Sequence, residues 1–213
     1  MGCCEVGGGI GRFFSRFSGR YTRRYERAGL EATQRQLFNA LGAVSIEDKT
    51  LLEIGCGVGY LHQYLLTQGA KSAVGIDLSA AMLKEAEALA VKKGLADRTR
   101  YEQGDFRDMV SRVERADITL LDKVICCYPD AEGLLAAATS RTKVLCALTF
   151  PRGHGANRLA AWLASLFLRL CGSSYRPFVH DPAAVDVWIR SAGFRRVSDT
   201  RTPFWLTRVY QRL

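Results

Sequence analysis

Apolar and polar positions change period several times along the 213 residues, and the changes divide the chain into elements. Over residues 12–42 arginines interleave with aromatics, and the pattern then turns helical, with Leu30, Leu37, Phe38 and Leu41 at helical spacing. From residue 50 onward short apolar runs alternate with helical stretches. TLLEIG (50–55) reads as a buried strand running into glycines, and YLHQYLLTQG (60–69) as a helix closed by Gly69. SAVGID (72–77) is a second strand. Ser79 is placed to cap a helix that runs to Lys93, with Met82, Leu83, Ala86, Leu89 and Ala90 on one face and Gly94 as its stop. TRYEQGD (99–105), ADITLLD (116–122) and KVLCALTF (143–150) read as three more strands. Strands alternating with helices predict βαβ units, a parallel sheet and helices on both faces.

The last third departs from this alternation. Residues 155–172 read as an additional helix and 181–194 as another, with Pro182 near its start and Gly193 at its end. FRRVSDT and FWLTRVYQR then alternate like an antiparallel strand pair at a sheet edge. The expected layout is a basic, flexible N-terminus with lid helices over 1–45 and one α/β domain over 46–213. No internal repeat and no second domain boundary is visible.

Composition narrows the class. Hydrophobic residues make up 48% and charged residues 24%, an ordinary globular balance that excludes a disordered or collagen-like chain. The formal net charge of +9 comes mainly from arginine and is uneven: residues 51–150 are close to neutral, whereas 151–213 carry ten cations and three anions. Nucleic acid, an anionic membrane and an acidic small molecule are all compatible with such a balance. Seven cysteines lack C-x-x-C spacing and the three histidines lie far apart, so reduced thiols in a cytoplasmic protein are expected, with no metal site. The run LAAWLASLFL (159–168) is too short to cross a bilayer, which needs about 20 apolar residues. MGCCEV lacks the Ser or Thr of a myristoylation start, leaving Cys3 and Cys4 as acylation candidates within a glycine-rich tail.

The candidate chemistry begins after the first strand, at Glu53-Ile-Gly55-Cys56-Gly57-Val-Gly59. Glycines there permit a tight turn and close approach of a ligand to a helix N-terminus. A dinucleotide fingerprint would need glycine at position 60, where this chain has Tyr60, and no P-loop Lys-Ser/Thr follows. Asp77 ends the second strand at the offset where an acidic side chain accepts ribose hydroxyls. Together these features favour a nucleoside cofactor.

The chain here resembles the class I S-adenosylmethionine (SAM)-dependent methyltransferase family, over about residues 50–213 and best over 51–130. LLEIGCGVGYL, VGIDLSAAML and YEQGDF are similar to its first three motifs, and ADITLLDKVICCYPD to its fourth-strand segment. The resemblance implies a Rossmann-like three-layer αβα sandwich with a mostly parallel seven-stranded sheet and an antiparallel C-terminal hairpin. It implies SAM as methyl donor and S-adenosylhomocysteine (SAH) as product. The cofactor residues would be Glu53, Gly55, Cys56, Gly57 and Gly59 in the loop, with Asp77, Leu78 and Met82 after the second strand. Gly104, Asp105 and Phe106 would meet the adenine, and Leu121 and Asp122 the methionine portion. Tyr21 and Tyr25, four residues apart in the proposed lid, would face the cofactor.

The acceptor side is less marked. His180, His154 and Tyr128 are the candidate catalytic groups, with His180 preferred as a base ahead of a helix at the pocket rim. Lys123, Arg152 and Arg176 are candidate holders of an anionic acceptor, and the segment 155–176 is a candidate pocket cover, membrane-surface helix or subunit contact. The leading expectation is methyl transfer to a small apolar or anionic acceptor. An RNA-directed methyltransferase, suggested by the basic flanks, and a non-catalytic SAM-binding module remain alternatives. An anionic small molecule ranks above nucleic acid because the cofactor-binding middle is neutral; oligomeric state stays open.

Overall fold

The computed structural model describes residues 3–42, 45–173 and 175–213, with side chains from Gly9 onward. The acylation candidates Cys3 and Cys4 therefore have side chains outside the described set. Three helices come first: α1 (Cys3–Ser15), α2 (Ser18–Ala28) and α3 (Ala32–Leu41). There follow β1 (Thr50–Ile54), α4 (Tyr60–Thr67), β2 (Ser72–Asp77), α5 (Ala80–Lys92), β3 (Thr99–Gln103), α6 (Phe106–Met109), β4 (Ala116–Asp122), α7 (Ala131–Ser140) and β5 (Thr142–Pro151). The chain ends with α8 (Gly155–Leu170), α9 (Pro182–Ser191), β6 (Phe194–Arg201) and β7 (Trp205–Arg212).

The seven strands form one sheet in the order β3-β2-β1-β4-β5-β7-β6. The first five are parallel; β7 pairs antiparallel with β5 and β6. Central strands β1, β4 and β5 are buried over most of their length, as their unbroken apolar runs require, whereas edge strands β3 and β6 alternate and expose charged residues. One face of the sheet packs against Leu37 and Leu41 of α3 and Leu61 and Leu65 of α4. The other packs against Phe106, Leu134 of α7, and Val185 and Ile189 of α9. The result is the three-layer α/β sandwich expected. The strand order reverses between β1 and β4, and the crevice outside the carboxyl ends of the parallel strands lies there.

Local signals place most of these elements. Ser79 accepts from Met82 N at 3.2 Å and starts α5, and Asp181 caps α9 with Pro182 in its first turn. Helix α7 is an addition to the expected elements. Asp130 caps it by accepting from Gly133 N at 2.9 Å, but its many alanines dilute the apolar period.

One expectation needs correction. The glycine-rich start, expected as a flexible tail, includes helix α1, and Ile10 near its end is buried. Gly11 fits there because a Cβ would stand 2.8 Å from the Leu78 carbonyl oxygen, so the helix approaches the β2–α5 turn closely. The basic segment after it forms α2. Gly29 takes a positive φ of 66° and breaks the chain between α2 and α3. Glu31 and Gln34 then form a reciprocal capping box at the start of α3.

Candidate active site

The loop from β1 to α4 turns on glycines with positive φ: Gly55 (67°), Gly57 (54°) and Gly59 (71°). At Gly55 a side chain is excluded twice over, because a Cβ would also meet Val124 Cγ2 at 2.6 Å. The loop is held from the second strand: Asp77 Oδ2 accepts from Gly57 N at 2.8 Å, and its Oδ1 accepts from Ser79 N at 2.8 Å. Burial pushes the Asp77 carboxyl up, and those backbone N–H groups pull it back. Each oxygen retains a lone pair for a further donor.

Behind the loop lies a buried relay. Gln63 Nε2 donates to Tyr101 Oη at 2.8 Å, and Tyr101 Oη lies 2.9 Å from His62 Nε2. His62 Nδ1 in turn lies 2.6 Å from Glu53 Oε2. The consistent assignment has Tyr101 donating to Nε2 and an Nδ1–H donating to the carboxylate. His62 and Gln63 are fully buried, so the Glu53 side chain is anchored from inside the domain. On sequence alone His62 reads as a surface or packing residue, one turn into its helix.

In front of the loop is a cavity of about 190 Å³. Its wall includes these cofactor candidates: Tyr21, Tyr25, Glu53, Gly55, Cys56, Gly57, Asp77, Leu78, Met82, Gly104, Phe106 and Asp122. Tyr128 and Lys123, from the acceptor-side candidates, also line it. Gly59, Asp105 and Leu121 are not among the lining residues. Gly59 packs under the loop, where a Cβ would meet His62 Cε1 at 2.9 Å, and Leu121 is fully buried in the core. Asp105 caps α6, accepting from Arg107 N at 3.0 Å, and takes a 3.4 Å contact from the Tyr128 hydroxyl.

Four acceptor-side expectations fall away from the cavity. His180 Nε2 lies 3.0 Å from Ile125 O and 2.9 Å from Tyr128 O, so its N–H ties down the segment after β4. His154 caps α8 and reaches Pro203 O at 3.1 Å. Arg152 points to the carbonyls of Thr202 and Pro203, and Arg176 is exposed. None of these four lines the cavity, and no residue of α8 does either, so that helix does not wall it.

Several lining residues were absent from the sequence reading: Ile10, Phe14, Glu31, Gln34 and Tyr60 among them. Tyr60 stacks on Tyr25 with ring centroids 4.6 Å apart and an interplanar angle of 13°. Glu31 pairs with Lys123, whose backbone has a positive φ of 60°. Gln34 Nε2 donates both to Tyr25 Oη and to Asp122 Oδ2, each at 3.0 Å. The capping-box pairing of Glu31 with Gln34 was the available signal for the second of these positions. Asp122 Oδ1 is buried and has no hydrogen-bond partner. Burial, with Glu31 and Glu53 nearby, pushes its carboxyl up to about 6 against the pull of Lys123 and Gln34.

This donor set suits SAM. Four carboxylates (Glu31, Glu53, Asp77, Asp122) face the cavity with one ammonium, Lys123, which Glu31 already neutralises. A ligand carrying a sulfonium and an ammonium matches that charge, and the Gly55 turn leaves room for close approach. Cys56 lines the loop as a buried thiol whose pKa burial pushes well up, so it is a small filler and not a nucleophile.

The fold is the Rossmann-like fold of class I SAM-dependent methyltransferases, and the site's donor set matches SAM. Residues 51–144 match the family model described as a methyltransferase domain. Among relatives, the chain is 30% identical over 114 residues to ribosomal protein L11 methyltransferase of Colwellia psychrerythraea, covering 51% of this chain and 39% of that one. It is 37% identical over 71 residues to protein arginine N-methyltransferase 1 of Schizosaccharomyces pombe, covering 33% and 21%. The chain thus spans well under half the length of these curated relatives. Among solved structures, magnesium protoporphyrin IX methyltransferase from Synechocystis with bound SAH has the same fold, with a TM-score of 0.71, 17% identity, and 92% of this chain and 96% of that one covered.

Proposed function

We propose that this protein transfers the methyl group of SAM to a small, largely apolar acceptor that carries a protic oxygen or nitrogen. The observation that carries the reading is the Asp122 carboxylate: Oδ1 is buried without a partner in a cavity walled by Phe14, Tyr21, Tyr25 and Tyr128. An orphaned buried acceptor costs about 1–3 kcal/mol unless a ligand satisfies it, so the site is suited to a donor from the acceptor molecule.

SAM supplies a methyl group already activated by the sulfonium. The remaining tasks belong to the chain. Asp77 and the Gly55–Gly59 turn hold the nucleoside end, and Glu53, fixed by His62, faces the positively charged end. Tyr21, Tyr25 and Phe14 exclude water from the reacting region. Asp122 Oδ1 orients the acceptor through its O–H or N–H and takes that proton as the new bond to carbon forms. Lys123 serves by pairing Glu31, which closes the lid helices over the site, and not by binding an anionic acceptor. The Synechocystis enzyme is named for a small-molecule substrate, whereas the L11 and arginine relatives are named for protein substrates.

Isothermal titration with SAM, SAH and NADH tests the shared premise, and methyl-labelled SAM against phenols, carboxylic acids, amines and RNA tests the acceptor. The reading expects SAH binding, no NADH binding and transfer to apolar phenols or amines. Transfer only to RNA would replace it with the nucleic-acid reading, and SAH binding with no transfer to any acceptor would favour a regulatory module.

A further inference from the structure

Helix α8 turns one face to solvent along its whole length. Leu159, Trp162, Leu163, Leu166, Phe167 and Leu170 are between 45% and 79% exposed. They recur at i, i+3, i+4, i+7, i+8 and i+11, a single helical stripe. The opposite face seats the helix on the domain. There Asn157 is buried, with its Nδ2 donating to Arg152 O at 2.9 Å and Phe204 O at 2.7 Å, and Ala161, Ala164, Ser165 and Leu168 are half-buried. The stripe is separate from the active-site cavity, which contains no α8 residue. Next to the helix start, Phe204 in the β6–β7 turn is 62% exposed and extends the apolar surface.

The charge around this stripe has one sign. From Arg152 to His180 the chain carries four arginines and no aspartate or glutamate. Arg158 and Arg169, both exposed, lie on one flank of the stripe near its two ends. At the carboxyl end of the helix a surface hollow is lined by Phe13 of α1 and Arg16 in the turn after it, together with Cys171. No helix among the described residues is long and apolar enough to cross a membrane, and 16 residues of helix extend about 24 Å. An apolar face with Trp and Phe, flanked by arginines and lacking acids, has the build of an interfacial helix.

We propose that α8 lies flat on an anionic lipid bilayer, its apolar stripe in the acyl boundary and its arginines among the head groups. Trp162 sits at the depth where indole rings favour the interface, and the arginine stems reach outward to phosphate. A second copy of the chain fits this face less well. It would set one arginine-flanked stripe against another with no carboxylate in 152–180 to neutralise either, whereas anionic head groups supply that charge.

The test is sedimentation of the full chain with vesicles of phosphatidylcholine alone and of an equal mixture with phosphatidylglycerol. Binding to the mixed vesicles is expected to be about tenfold or more tighter, and to weaken as salt rises. The double variant Leu163→Glu/Phe167→Glu should abolish binding, and Trp162→Ser should weaken it. Arg158→Gln/Arg169→Gln should lose most of the preference for the anionic vesicles. All of these positions are exposed, so thermal melting and SAH affinity should match the parent. Absence of binding to either vesicle overturns the proposal, as does binding that none of the variants alters. A dimer in solution that Leu163→Glu/Phe167→Glu dissolves, with no vesicle binding, overturns it in favour of a second copy.

Discussion

Gln34 and Asp122, 88 residues apart in the chain, are joined by a 3.0 Å hydrogen bond from Nε2 to Oδ2. The bond connects the third helix of the N-terminal cover to the end of β4, and the same amide nitrogen also donates to Tyr25 Oη. It satisfies one oxygen of the carboxylate and leaves the other turned to the cavity.

A pH dependence follows from this link. Asp122 acts as a base only when ionised, so kcat/KM should rise with pH through about 6 and level off above it. Gln34 donates to the ionised form, so Gln34→Leu should move that limb upward by about one unit. The check is a pair of pH–rate profiles. A limb that stays in place in the variant would separate Gln34 from the titration of Asp122.

The same carboxylate costs stability. Its folded value, about 6, lies above that of an unfolded aspartate, so the ionised form disfavours folding. Below pH 4 both states are protonated and the penalty is absent; it grows as pH rises through 6. Asp122→Asn should therefore be about 2 kcal/mol more stable than the parent at pH 8 and nearly equal to it at pH 4. Its kcat should fall by about 10²-fold or more. Thermal melts at the two pH values, with turnover at pH 8, give both readings.

His62 should prove structural and indispensable. Replacing it with Leu leaves Glu53 buried without its 2.6 Å partner and removes the acceptor of the Tyr101 hydroxyl. Loss of about 3 kcal/mol or more in urea unfolding is expected, together with weakened SAH binding by titration. A variant that melts and binds like the parent would remove the anchoring role.

His180 should behave as a strut. Its ring N–H serves the carbonyls of Ile125 and Tyr128, so His180→Ala should cost about 1–3 kcal/mol of stability. The acidic limb of the pH–rate profile should stay where it is. A limb lost in this variant and retained in Asp122→Asn would restore His180 as the base.

Local pattern carried much of the architecture. It marked all seven strands to within a residue or two, because central strands buried on both faces demand unbroken apolar runs while strands near the sheet edge mix polar with apolar positions. The glycine loop and Asp77 were legible for a similar reason. Positive φ at three spaced positions calls for glycine, and an acid at the next strand end is a fixed offset away. The break between α2 and α3 was harder to see, since arginines and tyrosines continue smoothly up to Gly29.

What the sequence determined by itself was therefore the order of the strands, the doubly wound sheet and the glycine loop with Asp77 behind it. These rest on contacts within an element or between neighbouring strands. Tertiary structure alone decided the rest of the cavity. It brought Glu31 to Lys123, Gln34 to Asp122 and Tyr25 to Tyr60, and turned His180 toward two carbonyls rather than the cavity. It also left the apolar stripe of α8 facing solvent, although the same run suggested a pocket wall. Periodicity says that a helix has an apolar face; only the packing of distant segments says what that face, or any side chain on it, meets.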